Sequence, residues 1–141
     1  MPEKEPEDLT VERMRPPVFP EEESPYEMRI TEIDNFERQK FNSPDFETVF
    51  RIVFTSKYDP EMTGKPWQFT WFVRKSLSPR SNLYKLAKAA LGTKYDEKAD
   101  NFDATELLDK KVRLVLKTQT SMMGREYSKV GDVLPVKKTE K

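Results

Sequence analysis

The chain has 141 residues, 35% apolar and 35% charged, with eleven Pro and neither Cys nor His. A chain of this length holds one ordinary domain, and without Cys or His it lacks a disulfide framework, thiolate or imidazole metal ligands, a Cys nucleophile and a His base. The formal net charge of zero conceals a division, because residues 1–25 hold eight acids against three bases and the rest holds 22 bases against 17 acids.

Residues 1–25 also contain six of the eleven Pro and few large apolar side chains. Such a segment buries too little surface to offset its ordering entropy, so it reads as a disordered acidic tail. It shows neither the basic start nor the apolar run of a secretory leader. No later stretch is long and apolar enough for a membrane span, and a cytoplasmic location is expected.

From residue 26 the pattern becomes periodic. Tyr26, Met28 and Ile30 alternate with polar residues, as in a strand with one buried face; Ile33 then breaks the phase and predicts a bulge. Residues 37–44 read as a loop. A second strand covers residues 46–55, with Phe46, Phe50, Ile52 and Phe54 on one side and Glu47, Val49, Arg51 and Val53 on the other. Turn residues at 59–60 and 64–66 lead into a third strand, residues 67–74, dense in aromatics. Ser78 and Pro79 stand where an N-cap and a first-turn Pro belong. Leu83, Leu86, Ala87, Ala90 and Leu91 then recur at helical spacing, and Gly92 supplies the stop. Asp103 caps a short helical turn. Strands follow at 111–118 and 126–134, joined by a loop at 121–124, and a charged tail covers 136–141.

Five strands with one helix between the third and fourth match the five-stranded Greek-key barrel called the OB-fold. Residues 26–135 form that domain. Its charge is concentrated: residues 57–95 carry eight bases and two acids, and residues 110–129 carry six bases and one acid. Trp67, Trp71, Phe72 and Tyr127 lie among them, with Lys117 and Lys129. Single-strand binding uses this pairing, since cations follow the phosphates while aromatic faces stack on bases. Polarity along the third strand turns Phe72 outward and Trp67 and Trp71 inward; a ligand-facing Trp pair is the open alternative. The acids of 96–109 lack the glycine turn of a Ca²⁺ loop, and Gly64-Lys65 lacks the rest of a phosphate loop. No catalytic constellation, metal site or cofactor is expected.

The runs G-K-P-W-Q-F, S-L-S-P-R-S-N-L-Y-K-L-A-K-A-A-L-G, F-D-A-T-E-L-L-D-K-K-V-R-L-V-L and E-Y-S-K-V-G-D-V-L-P resemble those of phage and prophage OB-fold single-stranded-DNA-binding proteins. The resemblance covers about residues 26–135. It implies a role in replication, recombination or repair, with contacts from Arg51, Phe72, Arg74 and Lys75 and from Arg125, Tyr127 and Lys129 on the fifth strand. Replicative members commonly recruit partners through an acidic C-terminal tail. Here the acidic segment is N-terminal, which moves recruitment of replication or recombination proteins, and competition for the basic surface, to residues 1–25. Single-stranded DNA, or RNA, is therefore the expected partner. The competing readings are a protein-interaction module using the same aromatic surface and a carbohydrate-binding barrel.

Overall fold

A computed structural model of the chain describes residues 17–40, 42–95 and 101–136. It contains five strands and one α-helix: β1 (Tyr26–Gln39), β2 (Phe46–Ser56), β3 (Gln68–Arg74), α1 (Asn82–Leu91), β4 (Lys111–Thr120) and β5 (Glu126–Pro135). Every pairing is antiparallel, and the strands lie in the order β3-β2-β1-β4-β5. The fold is mainly β, with one sheet that does not close. β3 and β5 are its edges.

β1 joins the two halves of this sheet. Its first residues, Tyr26 to Arg29, pair with Leu114 to Lys111 of β4, while Met28 to Gln39 runs along β2. The phase break at Ile33 is a bulge, since the register slips between Ile30 and Glu32. That extra residue puts Ile33 opposite Ile52 and turns Glu32, Asp34, Phe36 and Arg38 to the outer face. β1 also extends into the segment expected to be a loop. Glu37 to Gln39 pair with Thr48 to Phe46, so Arg38 belongs to a strand; Phe41 lies outside the described residues.

The inner faces of the strands converge on one core containing Met28, Ile30, Ile52, Phe54, Phe69, Val73, Val112, Leu114 and Leu116. α1 adds Leu83, Leu86 and Ala87 to it. The helix starts later than the Ser78-Pro79 pair predicts, because Ser81 is the N-cap and its Oγ accepts the Tyr84 N–H at 3.2 Å. Residues 78–81 instead form a turn closed by the Ser81 N–H and the Ser78 carbonyl at 2.8 Å. Gly92, at φ 57°, ends the helix in a conformation that side chains disfavour. Asp103 caps the 3-10 turn Ala104–Leu107 as expected, and the Thr105 hydroxyl and N–H hold its carboxyl below the usual range.

The expected disorder of residues 1–25 needs correction over 17–25; residues 1–16 lie outside the described set. Phe19 is fully buried, its ring edge-on to Tyr26 at 5.0 Å and to Trp67 at 5.3 Å. Backbone hydrogen bonding fixes the path of this strap. β4 has no β1 partner beyond Leu114, so its next free amides need other acceptors. Ser24 Oγ accepts from the Leu116 N–H and a Glu21 carboxylate oxygen from the Thr118 N–H, each at 2.7 Å. The Phe19 N–H donates to Ser128 Oγ of β5 at 2.8 Å, while its ring reaches Phe69 of β3 at 6.3 Å. The strap therefore stands between the two unpaired edges. One Phe in a polar, Pro-rich segment is a weak hydrophobic signal, which is why composition alone missed it.

Candidate nucleic-acid interface

Two regions hold the residues singled out by the sequence. The first is the outer face of β1–β2–β3. Here Arg51 lies opposite Asp34 and Phe72, and two of its three nitrogens face carboxylates. Its Nη2 donates to Glu32 at 2.6 Å and to Asp34 at 3.2 Å, and its Nε lies 3.2 Å from the second Asp34 oxygen. A phosphate would have to displace both carboxylates, so Arg51 is not the free contact that the resemblance implies.

Phe72 does face outward, but it is half-buried, because its ring packs on Phe36 with centroids 4.8 Å apart. Trp67 and Trp71 lie on the opposite side. Trp67 packs on Phe19 and Tyr58, and Trp71 on Phe54, all against the core. Neither indole shares a face with Phe72. Lys75 also departs from the outer face: its ammonium sits 4.8 Å from the centre of the Phe50 ring, a cation–π contact on the inward side.

Arg74 stays on the outer face, next to a cavity of about 430 Å³ lined by Arg38, Phe72, Arg74, Ser76, Ser78, Arg80, Ser81 and Asn82. Glu47 stands behind two of these arginines, 3.1 Å from Arg38 Nε and 3.6 Å from Arg74 Nε. Sequence reasoning missed Phe36 and assigned Arg38 to a loop. The available signal was the alternation Glu32, Asp34, Phe36, Arg38, which becomes regular once the bulge is counted. Arg80 was counted among the bases, but nothing local places it beside β3.

The second region is the β4–β5 hairpin. Lys117 lies directly opposite Lys129, and Gln119 opposite Tyr127. Like charges facing each other across a strand pair oppose folding, so an arrangement that keeps both Lys needs a reason beyond stability. Lys117, Lys129 and Arg125 have no acidic partner within 4.0 Å among the described residues. Tyr127 is 42% exposed between them. The Lys117 stem crosses Gly131 so closely that a Cβ there would lie 3.0 Å from its Cε, so the glycine leaves room for the Lys stem.

The hairpin turn is tightly tied. Ser121 Oγ accepts from the Met123 and Arg125 N–H groups, both at 3.2 Å, and the Ser121 N–H donates to the Arg125 carbonyl at 2.7 Å. This turn presents Met122 and Met123 to solvent. Between the hairpin and β3 runs a groove of about 450 Å³, walled by Phe69, Thr70, Met123, Arg125 and Tyr127 and ended by Pro17. The structure thus brings Lys117, Arg125, Tyr127 and Lys129 together. It separates them from Arg51, Trp67, Trp71 and Lys75.

The molecule is therefore a mainly β protein with an open five-stranded antiparallel sheet, one aromatic face of mixed charge and one basic hairpin bearing Tyr127. No family model, curated protein or solved structure matches the chain. Among the described residues no helix is long and apolar enough to cross a membrane.

Proposed function

We propose that this chain is a non-enzymatic domain that binds single-stranded DNA with little sequence preference. The observation that carries the reading is the β4–β5 hairpin, where Lys117, Arg125 and Lys129, without an acidic partner among the described residues, share two strands with the exposed Tyr127. Cations at that spacing follow a phosphate backbone, and a phenol face stacks on bases of any sequence. The sheet order supports an OB-fold, because pairing β3 with β5 would close the same five strands into that barrel. The resemblance to phage single-strand binders agrees with this and points to replication, recombination or repair in a cytoplasm.

A second reading, a protein-interaction module, draws on the groove between β3 and the hairpin, whose walls include Phe69, Met123 and Tyr127. Salt dependence separates the two. A fluorescent oligo-dT of roughly 30 nucleotides, titrated at low and moderate salt, should bind tightly, with affinity falling steeply as salt rises. An equal titration with oligo-U tests the preference for DNA. Absence of oligo-dT binding at low salt would overturn the proposal in favour of a protein partner.

A further inference from the structure

We infer that the cavity beside β3 is a subsite for one nucleotide unit, its phosphate held by Arg38, Arg74 and Arg80 and its base laid on Phe72. The inference rests on the single-strand reading and deepens it, adding a defined pocket away from the hairpin.

Glu47 approaches both Arg38 and Arg74 at Nε. An acid at that edge fixes the plane of a guanidinium and leaves its Nη groups to bind something else. Neither Arg38 nor Arg74 makes a hydrogen bond through Nη among the described residues. Arg51 shows the contrast, with Nη2 and Nε both occupied by carboxylates. Glu32 and Asp34 occupy two nitrogens of Arg51, whereas Glu47 hydrogen-bonds Arg38 at Nε and forms only an ion pair, at 3.6 Å, with Arg74.

Arg80 enters from the connection between β3 and α1 and has no ion pair among the described residues. Three guanidiniums then face a cavity whose lining holds no acid, and Ser76, Ser78 and Asn82 add neutral hydrogen-bonding groups. Ser81 serves as the N-cap of the nearby helix, and Ser76 Oγ accepts the Ser78 N–H at 3.3 Å while keeping its own hydroxyl proton to donate. Phe72 forms the apolar wall and is braced from behind by Phe36 at 4.8 Å. A braced ring beside a guanidinium cluster matches the two parts of a nucleotide. A free inorganic anion would use only the cluster.

The probes are dTMP, thymidine and inorganic phosphate, each added at millimolar concentration to the full chain carrying ¹⁵N label. dTMP should shift the Arg80 and Asn82 signals and the Arg Nε resonances, with saturation. Thymidine and phosphate alone should each bind more weakly. Arg80→Ala, which removes no ion pair, should weaken dTMP by about tenfold, and Phe72→Leu should bring dTMP down to the level of phosphate. Equal binding of phosphate and dTMP would overturn the nucleotide assignment and leave an anion site. No shift with dTMP, with oligo-dT still bound, would overturn the subsite and leave the single-strand reading standing. dTMP in the pocket without oligo-dT binding would do the reverse.

Discussion

The outer face of β1–β2–β3 and the β4–β5 hairpin are both rich in cations, yet they hold them differently. On the three-stranded face Arg51 is bound by Glu32 and Asp34, while Arg38 and Arg74 share Glu47. On the hairpin Lys117, Arg125 and Lys129 have no ion pair among the described residues, and two of them lie directly opposite each other. Paired surface charges contribute about 0–1 kcal/mol to folding and present little field outward. Unpaired ones, here with two Lys directly opposed, work against folding but keep their full attraction for a polyanion. Counting bases along a sequence cannot tell the two apart.

The strap is the strongest lever on this comparison, because Phe19, Glu21 and Ser24 hydrogen-bond to β4 or β5, while the Pro20 carbonyl accepts from Tyr26 Oη of β1. Phe19→Ala should cost about 3–5 kcal/mol by emptying a fully buried ring site. Urea unfolding monitored by circular dichroism will measure it. A loss under 1 kcal/mol would mean that the hairpin is held by the sheet alone. Next in size is Tyr127→Ala, expected to weaken oligo-dT by about 5- to 150-fold, the worth of one stacked base. An unchanged affinity would shift the weight of binding to the three-stranded face.

The strap also carries a pH signature. Burial, then the neighbouring Tyr58, Glu23 and Glu22, push the Tyr26 phenol up from 10.0 to about 12. Because the folded value is the higher one, the associated stability is intact below about pH 10. It is lost as pH climbs toward 12, at no more than about 1.4 kcal/mol per pH unit for this group. Urea midpoints at rising alkaline pH should fall in the wild type and fall less steeply in Tyr26→Phe; parallel curves would assign the loss elsewhere. The smallest effect sharpens the contrast most. Arg51→Ala should change oligo-dT affinity less than about twofold, whereas Lys129→Ala should reduce the logarithmic salt slope by roughly 0.7. Equal slopes for the two variants would erase the distinction between the regions.

Much of the fold was legible because it lies in short periods. Alternation placed the five strands, the Ile33 phase break located the bulge, and Leu83, Leu86 and Ala87 identified the helix face. Polarity also separated Phe72 from Trp67 and Trp71. The site was less legible, since it depends on register. Arg51 meets Asp34 only when β1 and β2 pair with the bulge included, and Arg80 meets Arg38 only through the turn that precedes α1. Phe19 was hidden for a related reason: its receiving groups lie in distant segments, and no local window contains them.

The bond from the Phe19 amide to Ser128 spans 109 residues. In a chain emerging from the ribosome, Phe19 appears 109 residues before the Ser128 that receives it. Until then Trp67, Tyr26 and Phe69 surround a ring with no anchor on β5. Contacts of such long sequence separation form late and slow the final step of folding. Core completion in this protein therefore waits on synthesis of the strand that bears Tyr127 and Lys129, so the proposed binding surface and a fully folded domain are expected to arrive together.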